Sequence, residues 1–163
     1  MEDAASLVRR LGLKPLPREG GFFVETFRSP ARVPTPCGER AASTAILYLL
    51  TPESHSAIHR IPFDEVWHFH AGDPVELLVL GPGARAAEVV LGPDLEAGMR
   101  VQAVVPGGCW QGALLRPGGR GALLGTTVAP GFESGDWEPG DPAALAAAHP
   151  ALADRILAMA PRP

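Results

Sequence analysis

Lysine is nearly missing from this chain: Lys14 is the single example against thirteen arginines, a genomic composition bias that carries no functional meaning. Cysteine is scarce too. Cys37 and Cys109 are too few for a disulfide framework and form no CxxC pair, so reduced thiols in a cytoplasm are expected. Basic clusters are absent and the net charge is −4, which argues against a nucleic-acid partner, because phosphates need a positive surface. No apolar run is long enough to cross a bilayer, so no membrane partner is expected. The opening Met1-Glu2-Asp3 is acidic where a secretion signal would be basic, so no export is expected either.

What is present is punctuation. A chain of 163 residues suits one domain with a real core, and its 19 glycines and 18 prolines interrupt apolar runs instead of forming blocks. Ala4, Ala5, Leu7, Val8 and Leu11 share a face at helical spacing, with Gly12 as the stop, which predicts a short N-terminal helix. Phe22–Arg28 alternates as a strand, Pro30–Arg40 reads as a Pro/Gly loop, and Ser43–Leu50 reads as a buried strand. Further strands are expected at Ser54–Arg60, Glu65–Ala71, Val75–Leu80, Ala86–Leu91, Val101–Val105, Gln111–Arg116 and Gly121–Val128. Helix returns at Pro142–Ala148 and Pro150–Ala158, each with proline in the first turn. Many short strands with regular turns and no intervening helices predict an all-β sandwich or closed barrel. The whole of 1–163 reads as one domain, with a barrel core of about 19–138 and a helical tail of 139–163.

The richest segment is Ser56–Gly72, SAIHRIPFDEVWHFHAG. A hairpin closing around Pro62 would set His59 opposite Glu65, and an imidazole beside a carboxylate can exchange a proton, hold a divalent cation or bind a polar ligand. Alternation puts Trp67 and Phe69 on the face of Glu65 and turns His68 and His70 the other way, toward a solvated or interface edge. His68-Phe69-His70 is itself an HxH with Glu76 downstream, but Gly72-Asp73-Pro74 bends the chain directly after it. Val104–Gln111 reads as a strand–turn–strand facing the hairpin. Cys109 has no histidine near it in sequence to activate it and is assigned no nucleophilic role.

On these motifs the chain resembles the cupins, double-stranded β-helix barrels of the jelly-roll kind. The first cupin motif, HxH then Glu, six residues and Gly, is matched by Glu65 to Gly72, with His59 in place of the second histidine and Ala57 in place of the first. The second, PxGxxH, is matched by Pro106-Gly107-Gly108-Cys109-Trp110-Gln111, with Gln111 where the histidine would stand. EGGFFVETFRS, STAILYLLTP, HRIPFDEVWHFHAGDPVELLVL, QAVVPGGCWQGA and TTVAPGFESGDWE resemble the "cupin 5" branch of small single-domain cupins. That branch is similar in fold to sugar-nucleotide epimerase and germin-like cupins. The resemblance implies a jelly-roll barrel, a homodimer and a deep pocket in each barrel, and no particular activity.

A pocket lined by His59, Glu65, Gln111, Trp67 and Phe69 sets an aromatic wall beside polar groups, which suits a carbohydrate-like ligand; Tyr48 is a further candidate. The first functional expectation is isomerase or epimerase chemistry, with His59 as base and Glu65 as its orienter. The second is a non-catalytic metabolite-binding protein. The third is a weak divalent-metal site on His59, Glu65 and Gln111, with dioxygenase-like or hydrolytic chemistry. Two strong ligands fall short of the three that catalytic sites supply, so no tightly held metal is expected. A homodimer is expected to use the N-terminal helix and the FFVETFR strand.

Overall fold

The computed structural model describes residues 3–83 and 85–161, so Met1 and Glu2 of the acidic opening lie outside the described residues. Helix α1 (Ala4–Leu11) starts where the Asp3 carboxylate accepts a hydrogen bond from the Ser6 N–H at 3.0 Å, and it stops at Gly12, whose φ of 66° admits the left-handed cap. Its apolar stripe buries Leu7 against Leu13 and Leu49 on the outside of the barrel.

Among the described residues thirteen strands follow: β1 (Lys14–Pro15), β2 (Phe22–Arg28), β3 (Arg32–Thr35), β4 (Gly38–Ala41), β5 (Thr44–Leu50), β6 (Ser56–Arg60) and β7 (Asp64–Gly72). Then come β8 (Val75–Leu80), β9 (Ala86–Leu91), β10 (Gln102–Val105), β11 (Trp110–Leu115), β12 (Ala122–Ala129) and β13 (Glu138–Pro139). One sheet has the order β1-β2-β5-β12-β7-β10, and a second has β13-β6-β11-β8-β9. From β5 to β13 every connection but β8–β9 crosses from one sheet to the other, as in a jelly roll, and the strands pair antiparallel, with one isolated parallel bridge between Leu91 and Arg100. Helices α2 (Pro142–Ala148) and α3 (Ala153–Ala158) close the outer face of the second sheet, where Ala146, Ile156 and Met159 pack on Ile58, Leu78 and Leu80. A methyl group at Gly112 would stand 2.7 Å from the Met159 sulfur and 3.2 Å from the Ser56 carbonyl oxygen, so Met159 packs close over β11 at this point. No helix among the described residues is long and apolar enough to cross a membrane.

Three expectations need correction. Pro30–Arg40 is no simple loop but carries the β3–β4 ribbon, turned by a Thr35 hydroxyl that donates to the Gly38 carbonyl at 2.6 Å. Pro34 and Pro36 mask its alternation, yet a two-stranded ribbon leaves outward edges on which proline loses no ladder bond. The expected Pro150–Ala158 helix begins as a 3-10 turn, Pro150–Leu152, before α3. Most important, β6 and β7 do not form a hairpin. The corner at Ile61-Pro62-Phe63 carries the chain from one sheet to the other, so His59 and Glu65 stand on opposite walls of the barrel.

Candidate functional site

The barrel interior is hollow at one end, a cavity of about 520 Å³. Its walls come from β2, β5, β7 and β12 on one side and from the β6 end on the other. Two loops finish it. The Leu16–Glu19 loop is held down by Gly20 and Gly21, whose φ values of 99° and 69° only glycine adopts freely. A Cβ at Gly20 would fall 2.4 Å from the His55 carbonyl oxygen, and one at Gly21 would fall 2.8 Å from that of Leu49. Glycine is therefore required for the loop to reach the barrel wall. It also seats Glu19, whose carbonyl accepts from the Ala57 N–H at 2.8 Å. The second loop brings in Phe132 and Trp137. It is tied down where Arg28 donates to Glu133 at 2.9 Å and to the Phe132 carbonyl at 3.0 Å, and where Arg40 meets Asp136 at 3.1 Å.

His59 is 2% exposed and lines the cavity. Its Nδ1 lies 2.7 Å from the Ala57 carbonyl oxygen; that oxygen only accepts, so Nδ1 carries a proton. Nε2 is 3.9 Å from Glu19 Oε2, and the imidazole stacks on Trp137 with centroids 5.8 Å apart and planes at 21°. Against β11, Gln111 pairs with His59 but Ala113 pairs with Ser56, so β6 bulges by one residue between them. The Ser56 hydroxyl donates to Glu19 Oε1 at 2.8 Å, fixing that carboxylate beside the imidazole.

Glu65 faces His59 from β7. Gln111 Nε2 donates to Glu65 Oε2 at 2.6 Å, and Gln111 Oε1 accepts from the Trp67 indole N–H at 2.8 Å. Burial pushes the Glu65 carboxyl above its ordinary range; the His59 imidazole works against the rise, Glu19 adds to it, and bonds from Thr126 and Gln111 counter it. Burial also holds the Tyr48 phenol well above its usual value, with Glu19 contributing. The Tyr48 hydroxyl donates to the Gly20 carbonyl at 2.9 Å and braces the glycine loop.

Of the residues singled out in the sequence, His59, Glu65 and Tyr48 line the cavity together. Gln111 and Trp67 stand behind Glu65, and Phe69 packs into the apolar cluster beyond them. The aromatic wall expected from Trp67 and Phe69 is built instead by Phe23, Tyr48, Phe132 and Trp137. His68 and His70 lie on the outer face, as alternation placed them. His68 Nε2 sits 3.1 Å from the Thr127 hydroxyl oxygen, with the two rings parallel and 6.4 Å apart. The residues missed were Glu19 and Trp137. Both stand in irregular segments, where no periodicity assigns a face. The Gly20-Gly21 pair directly after Glu19 was the one available signal of a close approach.

The donor set can be tested for the metal the fold implies. Ala57 offers no donor side chain, and both polar ends of Gln111 are engaged by Trp67 and Glu65. Among the described residues no three His, Cys, Asp or Glu side chains converge as a cation requires. The residues present do not fit a divalent metal.

Comparison with known proteins agrees with this architecture. The model of the family Cupin_5, described as "Cupin superfamily (DUF985)", matches residues 5–139. The chain is 31% identical over 133 residues to the uncharacterized protein YML079W of Saccharomyces cerevisiae, covering 73% of this chain and 66% of that protein's length. A hypothetical protein from Leishmania major superposes with a TM-score of 0.89 at 34% identity, covering 99% of this chain and 100% of the other. Protein SO0799 from Shewanella oneidensis gives 0.87 at 33%, covering 100% and 99%. Two distant likenesses show the fold alone. A dTDP sugar isomerase from Desulfovibrio desulfuricans is 14% identical with a TM-score of 0.51, covering 73% of this chain and 83% of that one. Bacillus subtilis oxalate decarboxylase is 13% identical at 0.56, covering 90% and 37%.

Proposed function

The chain belongs to the Cupin_5 family of the cupin superfamily, and from that premise we propose that it binds a polar small molecule in its barrel cavity and acts on it by acid–base chemistry of the isomerase or epimerase kind. One observation carries this reading: a buried imidazole, His59, lines the cavity with Nδ1 held by the Ala57 carbonyl, Nε2 3.9 Å from the Glu19 carboxylate and Glu65 on the opposite wall. Nε2 is the base that would take a proton from carbon next to a carbonyl. Glu65, held toward its protonated form, is the acid that would return one from the opposite wall. Glu19 would stabilise the imidazolium formed between them. The cavity volume fits a monosaccharide-sized ligand, and aromatic residues including Trp137 and Tyr48 line it.

Incubation in deuterium oxide with candidate keto- and aldo-sugars tests the chemistry: solvent deuterium should enter the carbon next to the carbonyl. His59→Ala should lower the exchange rate by about 100-fold or more, as loss of a general base does. Exchange undiminished in that variant removes His59 from the mechanism.

We also propose a homodimer. Phe27 is half exposed on β2, whose outer edge β1 covers only at Phe22 and Phe23, so a hydrophobic strand edge is left for a second copy. A scattering mass of one chain at micromolar concentration would contradict it.

A further inference from the structure

The two loops that finish the cavity touch each other at one pair, Arg18 and Trp137. Both residues line the cavity, and the guanidinium of the exposed Arg18 lies 5.1 Å from the centre of the Trp137 ring. On either side of this pair the chain is pinned. The Leu16 N–H donates to the Gly21 carbonyl at 3.0 Å, and the Glu19 carbonyl accepts from the Ala57 N–H at 2.8 Å. Around Trp137, Asp136 is held by Arg40 at 3.1 Å and Glu138 by Arg60 at 2.8 Å. Between these anchors stand Pro17 and Arg18 on one loop and the Trp137 side chain on the other.

Two unfavourable features fall on this single contact. Arg18 has a φ of 67°, and among the described residues it is the only one besides glycine in the left-handed region. A side chain held there costs free energy that a glycine does not. The Trp137 indole N–H is buried and has no hydrogen-bond partner among the described residues, a state that also carries a cost. Against these stand the guanidinium over the indole and the stacking of that indole on His59, with centroids 5.8 Å apart. Arg28 at the same cavity is ion-paired to Glu25 at 2.7 Å and Glu133 at 2.9 Å, whereas Arg18 makes no ion pair among the described residues. A weak attraction that works against backbone strain and an unmade hydrogen bond marks a contact of low local stability.

We propose that Arg18 and Trp137 form a latch over the cavity: the guanidinium and the indole part to admit a small molecule and meet again behind it, while the anchored stretches of both loops stay in place. The proposal rests on the reading that the barrel binds a polar small molecule, and adds how that molecule enters. Opening relieves both costs at once, because Arg18 leaves its left-handed conformation and the indole N–H meets water. Trp137 also stacks on His59, so the same movement uncovers the imidazole on the cavity wall. The moving part is two side chains and one peptide unit, not a whole loop.

Hydrogen exchange of indole N–H groups reads the latch with no ligand present. The chain has three tryptophans, so isotopic nitrogen labelling gives three indole resonances, and Trp137→Phe assigns the one in question. Trp67, buried in the core and hydrogen-bonded to Gln111, is the internal reference. In deuterium oxide the Trp137 N–H should exchange at least about 100-fold faster than that of Trp67, as a local opening does beside a core group. Arg18→Ala should speed Trp137 about threefold to fivefold further, the loss of one exposed cation–π contact, and leave Trp67 unchanged. Arg18→Asn loses the same contact but tolerates the left-handed backbone, so its Trp137 rate should lie below that of the alanine variant. Trp137 and Trp67 exchanging together, an Arg18→Ala rate no faster than the parent's, or a rise that Trp67 shares overturns the latch. The small-molecule reading survives that result, since it answers to deuterium incorporation into sugars. Equal rates in the alanine and asparagine variants overturn the part assigned to the Arg18 backbone.

Discussion

Two halves of one barrel interior share the same strands and differ in what fills them. On β5, Thr44 and Ile46 face the hollow while Leu50 faces the filled half; on β7 the change runs from Glu65 to Trp67 and Phe69; on β12 it runs from Val128 and Thr126 to Leu124 and Ala122. In the filled half, Leu50, Leu77 and Leu115 interdigitate from the two sheets with Trp67, whose ring meets Tyr48 edge-on at 6.0 Å. To the hollow half β6 and its corner bring His59 and Ile61, and the rings of Phe23, Tyr48, Phe132 and Trp137 line the space that remains. The chain Trp67–Gln111–Glu65 marks the boundary. Its indole faces hydrocarbon, its carboxyl faces the cavity, and the amide between them satisfies both. One half supplies cohesion and the other encloses a cavity with polar groups on its wall.

The sharpest way to break this comparison is truncation on each side. Leu77→Ala, in the filled half at 1% exposure, should lower unfolding free energy by about 2–5 kcal/mol, because it opens a cavity in close-packed surroundings. Ile46→Ala, on the cavity wall, should cost about 1 kcal/mol, because part of that side chain already faces space. Urea denaturation of the two variants decides it, and equal losses would mean the hollow is as tightly packed as the core.

Gln111→Leu tests the boundary with a smaller expected effect. It leaves the Trp67 N–H without an acceptor, at a cost of about 1–3 kcal/mol, and removes a donor from Glu65. The Glu65 carboxyl, already raised by burial, should move further up, which a carboxyl-resolved NMR titration would follow. A pKa that falls or stays fixed would show that Gln111 does not hold the acid in place.

The filled half was the legible half. Val75–Leu80 and Ala86–Leu91 begin and end as alternation and turn residues indicate, since burial on a pleated sheet imposes period two on the chain. The hollow was legible only where it borrows strand periodicity, as at His59, Glu65 and Tyr48. Their relation was not, because Pro62 reads equally well as the turn of a hairpin or as a corner between sheets. Trp67 and Gln111 carry the right chemistry for a pocket, but a tertiary hydrogen bond withdraws them behind the wall. Glu19 and Trp137 enter from loops whose approach is fixed by glycine contacts and by the ion pairs of Arg28 and Arg40, none of which is periodic in sequence.

The mildest expected effect concerns the acid itself. Glu65 titrates higher folded than unfolded, so between the ordinary carboxyl value of 4.5 and its raised folded value the native state holds a proton that the unfolded chain has lost. Stability therefore falls as pH rises through that window and stays lower above it. Glu65→Gln keeps an oxygen for the Gln111 amide but cannot ionise, so it should flatten this slope and melt higher than the parent at pH 7, by less than Gln111→Leu lowers it. Each kcal/mol gained would appear as about 2–4 °C. Scanning calorimetry from pH 4 to pH 8 reads both quantities, and a variant that melts lower at pH 7 with the slope unchanged would place Glu65 among the structural carboxylates.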